Sequence, residues 1–124
     1  MRLASVITPF NDRNLALAAQ TGVTDITIRH QGPELADWLP AREKVERHGL
    51  KLCTVEDALQ TENIIMGREG RDEEIEAIKQ LLQIMSELEI PVLCYNFMAG
   101  TDWVRTSVNE PERGGARVTG FDLA

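Results

Sequence analysis

The order of apolar and polar residues divides the chain into short β-rich runs separated by helical patterns. Leu3-Ala4-Ser5-Val6-Ile7-Thr8 reads as a strand halted at Pro9. Asn11 or Asp12 can cap a helix carrying Leu15, Leu17, Ala18 and Ala19, which Gly22 ends. Residues 23–29 are dense in β-branched side chains and predict a second strand, after which Pro33 opens a helix. Leu35, Trp38, Leu39, Arg42 and Val45 mark its face, Trp38 as a packing residue, and Gly49 stops it. Residues 50–55 form a third strand with Glu56 and Asp57 just past its carboxyl end, followed by a mixed loop over 58–71. Asp72 is the expected N-cap of the next helix, with Glu73, Glu74 and Glu76 where the helix dipole favours anions. Ile75, Ile78, Leu82, Met85 and Leu88 mark its buried stripe. Residues 91–97 are almost continuously apolar, the pattern of a parallel strand covered on both faces, ending near Asn96. Residues 97–124 hold several glycines and Pro111 without either period, and read as a long functional loop or an unfinished segment.

This alternation predicts an α/β fold of about four strands with three intervening helices and right-handed crossovers. Neither GxGxxG nor GxxxxGK[ST] follows any strand, which removes the main support for a nucleotide-binding open sheet. A (β/α)8 barrel takes roughly 250 residues, and 124 supply about half of one. Strand order 1-2-3-4 with helices on one side is therefore expected. A half barrel leaves strand edges and inner faces uncovered, so Val6, Ile26, Ile28, Leu52, Val92 and Cys94 are candidates for an exposed or partner-covered set, and a homo-oligomer is expected.

Composition narrows the function. Thirteen Lys and Arg against 20 Asp and Glu give a formal charge of −7, which argues against nucleic acid. No apolar stretch is long enough for a membrane span or a signal sequence, so the expected location is cytoplasmic. Cys53 and Cys94 each lie in an apolar run and read as buried, reduced thiols. His30 and His48 are not at ligand spacing, and His48 sits at a helix end where a cation is favourable.

Ligands in α/β folds gather at the carboxyl ends of strands. There the chain carries Arg29 and His30, then Glu56 and Asp57, then Asn96, Asp102, Trp103, Arg105 and Thr106. Such a set suits a polyhydroxylated acid: arginine forks a carboxylate, Glu and Asn take hydroxyls, and Trp covers an apolar sugar face. Taken singly, Arg29 or His30 also fits a solvated loop, and Arg105 could pair with Asp102 and stiffen its own loop.

The run Cys94-Tyr95-Asn96-Phe97-Met98, then Asp102-Trp103-Val104-Arg105-Thr106 and Phe121-Asp122, resembles the mannonate dehydratase family, as does the Gly67–Asp72 turn. The resemblance covers the chain as an N-terminal portion, residues 1–124 of one xylose isomerase-like barrel domain. It implies a lyase that converts D-mannonate to 2-keto-3-deoxy-D-gluconate and water in hexuronate breakdown, with a divalent metal such as manganese. The family's metal ligands lie on later strands, so no metal site is assigned here and none is expected to be filled by this chain alone. Arg29, Glu56, Asn96, Trp103 and Arg105 are the substrate-binding candidates, and the catalytic acid and base are not assigned. The alternatives are a sugar isomerase or epimerase of the same barrel class, and a non-catalytic half barrel acting through self-association.

Overall fold

A computed structural model of the chain describes residues 2–56, 59–97 and 104–123. Its main sheet has four parallel strands, β1 (Ala4–Val6), β2 (Asp25–Ile28), β3 (Lys51–Glu56) and β4 (Val92–Cys94), in the order β1-β2-β3-β4. Between them run α1 (Asp12–Gln20), α2 (Leu35–Arg47), a short α3 (Glu62–Met66) and α4 (Arg71–Glu87). The expected order of the four strands holds in the main sheet among the described residues.

Local chemistry sets the helix starts. Asn11, not Asp12, caps α1, its side-chain oxygen accepting the Asn14 N–H at 2.9 Å. At the start of α2, the Asp37 carboxylate accepts the Glu34 N–H at 3.0 Å, so Pro33 lies just outside the helix. Pro40 sits inside α2 and cannot donate to the Ala36 carbonyl one turn earlier. The N-cap of α4 is Gly70, which leaves Asp72 within the first turn.

The loop expected over 58–71 contains α3. Its cause is distant in sequence: the Glu74 carboxylate turns back to accept the Asn63 Nδ2–H at 2.7 Å and the Ile64 N–H at 3.0 Å. Those donors belong to the orphan first turn of α3, which five residues of local propensity would not stabilise.

The core lies on one face of the sheet. Leu15 of α1, Trp38 and Val45 of α2, and Leu81, Ile84 and Met85 of α4 form one cluster with Ile26, Ile28, Leu52 and Val55. Two expectations are corrected here. Ile26, Ile28 and Leu52 are buried against the helices, not exposed. The buried stripe of α4 runs through Leu81, Ile84, Met85 and Leu88, while Leu82 is 47% exposed and Ile75 and Ile78 are half-buried. That rotation turns Leu82 and the isoleucines toward the flank beyond β4.

β4 is not covered on both faces. Val92 is 48% exposed and Cys94 is exposed, because β4 is an edge strand among the described residues. Val6, on the other edge, is 47% exposed. Cys53 is buried as expected.

The segment expected to be a long loop contains an antiparallel hairpin, β5 (Ser107–Pro111) with β6 (Arg117–Gly120). Its turn passes through Gly114 and Gly115 at φ +70° and +80°, values that favour glycine. Both faces are largely exposed, so the strands carry no apolar alternation for a periodicity argument to detect.

Candidate functional site

Register defines the face opposite the helices. Val6, Thr27, Thr54 and Val92 are successive Cα partners across β1 to β4, and Glu56 partners Cys94 one level nearer the carboxyl ends. Ile28 partners Val55 as the last pair between β2 and β3, and Arg29 and Glu56 are the residues that follow them in sequence. Glu56 and Cys94 form a row at two neighbouring strand ends, on strands spaced about 4.8 Å apart, and Arg29 follows directly on the end of β2. Glu56 is half-buried in this row.

The sequence places Arg29 and Glu56 at strand ends and offers Cys94 both as a buried thiol and as a candidate for the uncovered edge; its edge position leaves it exposed.

Asn96 goes elsewhere. It lines a groove of about 510 Å³ with Leu59, Ile78, Leu93, Tyr95 and Phe97, on the flank between α4 and the end of β4. Arg105 lies at the base of the hairpin, where its Nε–H donates to Thr119 Oγ1 at 3.2 Å and its Nη1–H to the Val104 carbonyl at 2.8 Å. Trp103, Asp102 and Asp57 lie outside the described residues.

The β2–α2 connection holding Arg29 is tightly determined. Gln31 Nε2–H donates to the Arg29 carbonyl at 2.7 Å, and the Trp38 indole N–H donates to the Gly32 carbonyl at 2.9 Å. His30 packs edge-on against the ring of fully buried Trp38, at 5.5 Å between centroids. Burial pushes the His30 imidazole below its ordinary pKa, with Asp37 opposing more weakly. His30 therefore belongs to the support of the loop, while Arg29 follows directly on the carboxyl end of β2.

At the opposite end of the sheet, buried Asp25 pairs with Arg2 and accepts the Thr24 hydroxyl at 2.5 Å. The hydrogen bonds from Arg2 hold its carboxyl below the usual range against the opposing effect of burial. This pair staples the amino ends of β1 and β2 and lies away from the strand-end row.

Among the described residues no three His, Cys, Asp or Glu side chains converge as a metal site. The described donors therefore do not by themselves fit a divalent cation. No described helix is long and apolar enough to cross a membrane.

The family model for D-mannonate dehydratase (UxuA) matches residues 11–124. The mannonate dehydratase of Streptococcus equi subsp. zooepidemicus is 36% identical over 107 residues, covering 84% of this chain and 29% of that protein. The Thermotoga neapolitana mannonate dehydratase is 34% identical over 98 residues, covering 79% of this chain and 27% of that protein. The crystal structure of mannonate dehydratase from Streptococcus suis serotype 2 superposes with a TM-score of 0.79 at 26% identity, covering 98% of this chain and 37% of that one. The chain thus spans under a third of the length of these curated relatives. Strand order and a family match running from residue 11 to residue 124 agree, and the chain belongs to the mannonate dehydratase family.

Proposed function

We propose that this chain supplies the first four strands of a barrel that dehydrates D-mannonate to 2-keto-3-deoxy-D-gluconate in the cytoplasm, and that its part is to bind the sugar acid. In this reading Arg29 and Arg105 face the carboxylate or a neighbouring hydroxyl, Glu56 and Asn96 take hydroxyls, and Trp103 covers the apolar face of the carbon chain. A guanidinium suits the first task because its planar donors match a carboxylate bidentately. The proposal assigns the divalent metal, manganese by family resemblance, to ligands outside the four strands. Without them the chain by itself neither turns over substrate nor holds the metal tightly.

The observation that carries this reading is the family match over residues 11–124, laid on a sheet in which Arg29 follows β2 and Glu56 ends the neighbouring β3. Its test is the kinetics of a barrel in which this chain is joined to the complementary later strands of the Streptococcus suis enzyme. Glu56→Gln and Arg105→Lys should each lower kcat/KM on the order of ten- to a hundredfold, the loss of one charge-assisted contact. Unchanged kinetics with a lowered melting temperature would make either residue structural.

A further inference from the structure

Glu74 is drawn inward where its acidic neighbours are not. Asp72 and Glu73 share the first turn of α4 with it and are exposed, while Glu74 is half-buried. Its two oxygens divide three donors: Oε1 accepts the Asn63 Nδ2–H at 2.7 Å and the Asn63 N–H at 3.3 Å, and Oε2 accepts the Ile64 N–H at 3.0 Å. Among the described residues these are the hydrogen bonds that join α3 to another element. Ile64 lines the same groove as Ile75 and Ile78 of α4, but apolar contact is non-directional. The carboxylate therefore sets where along α4 the short helix rests.

This tether reaches the strand ends through the chain. Glu56 closes β3 and is the Cα partner of Cys94 in the last pair of β3 with β4. Beyond it the chain has no long run before α3 begins at Glu62, the residue next to the clamped Asn63. The path from β3 to α4 spans 57–70, against 7–11 from β1 to α1 and 29–34 from β2 to α2. A longer connection leaves more conformations to the residues at its root unless something pins it.

We infer that Glu74 is a positioning residue for sugar-acid binding: by pinning the start of α3 it fixes how the chain leaves β3, and so holds Glu56 in place for substrate hydroxyls without touching substrate itself. This inference rests on the reading of Glu56 as a sugar-acid ligand. Glutamine at position 74 keeps the length of the side chain but offers a single oxygen, and its NH2 then faces other donors, so part of the clamp is lost.

The experiment is a double-variant cycle of Glu74→Gln with Glu56→Gln in the joined barrel, beside amide exchange on the full chain. In the chain itself, Glu74→Gln should speed exchange of the Ile64 amide at least about tenfold while the amides of buried Leu81 and Met85 keep their protection. In the joined barrel it should raise the KM for D-mannonate on the order of tenfold at unchanged kcat, because a displaced binding group weakens substrate and transition state alike. In the Glu56→Gln background the same change should have no further effect, since it acts through Glu56. Asn63→Ala, which removes only the 2.7 Å donor, should move KM in the same direction by less. Unchanged Ile64 exchange would overturn the inference, as would a lowered melting temperature with KM unmoved, the mark of a merely structural role. Full additivity of the two variants in KM would also overturn it, while leaving Glu56 as a ligand. Unchanged kinetics in Glu56→Gln alone would instead overturn the reading of Glu56, and this inference with it.

Discussion

Gly32→Ala tests whether the loop that carries Arg29 is held as described. Gly32 has φ +152°, and an added Cβ would lie 2.2 Å from Asp37 Oδ2 and 2.5 Å from its Cγ. Both contacts are far inside van der Waals range, so Asp37 must swing away. It then loses the 3.0 Å bond to the Glu34 N–H that starts α2. Backbone strain at this φ costs about 1–3 kcal/mol and the lost bond about 0.5–1.5 kcal/mol, together roughly 2–4 kcal/mol. At about 3–6 °C per kcal/mol for a chain of this size, the melting temperature should fall by roughly 10–20 °C. The double variant with Asp37→Ala isolates the carboxylate's share of the clash. With that carboxylate gone, Gly32→Ala retains the backbone strain and the 2.8 Å approach to the Cβ of residue 37, so the pair should be about 1 kcal/mol less destabilised than the sum of the singles. Thermal and urea unfolding measure both quantities. An unchanged melting temperature for Gly32→Ala, or strict additivity in the double variant, would refute the described packing of Gly32 against Asp37.

Leu15 is fully buried between α1 and the sheet, so Leu15→Ala should cost about 2–5 kcal/mol in urea unfolding. A loss under about 1 kcal/mol would mean that α1 does not dock as described. The half-buried His30 imidazole is harder to protonate in the folded chain than in the unfolded one, so the unfolded state binds more protons once pH falls below about 6.5. Stability should be full above that pH and decline below it, and His30→Gln should flatten the decline. Asp25 acts lower on the scale: its carboxyl is held down mainly by Arg2, so its contribution is present above about pH 4 and is lost as pH falls further. Arg2→Gln should reduce this acid-limb loss, and an identical acid limb would remove the pair from the account.

Most of the sheet was legible because its information is local. Residues 23–29 and 50–55 are β-branched runs bounded by Gly22, Gly49 and charged strand ends, and the central strands β2 and β3 fall inside them. Arg29 and Glu56 were legible for the same reason, since a polar residue directly after an apolar run marks a strand's carboxyl end. What failed depended on contacts distant in sequence. α3 exists because Glu74 reaches back to Asn63 and Ile64, and no window around residue 62 contains that carboxylate. The apolar run over 91–97 reads alone as covered on both faces, whereas the uncovered edges of a half barrel already name Val6, Val92 and Cys94 as exposed, and edge position decides for exposure. The hairpin of β5 and β6 is exposed on both faces, so only its turn glycines carried a signal. Asn96 matched the family motif as a strand-end polar residue, yet it lines the apolar groove on the β4 flank two residues beyond the end of β4.

The central claim is that these strands are the sugar-acid-binding portion of a mannonate dehydratase barrel whose remaining chemistry comes from strands outside this chain. The most direct measurement is formation of 2-keto-3-deoxy-D-gluconate from D-mannonate with manganese present, for this chain alone and joined to the later strands of the Streptococcus suis enzyme. The account predicts product only from the joined barrel, with none from either part separately. Turnover by this chain alone, or a folded joined barrel that leaves D-mannonate unchanged, would contradict it.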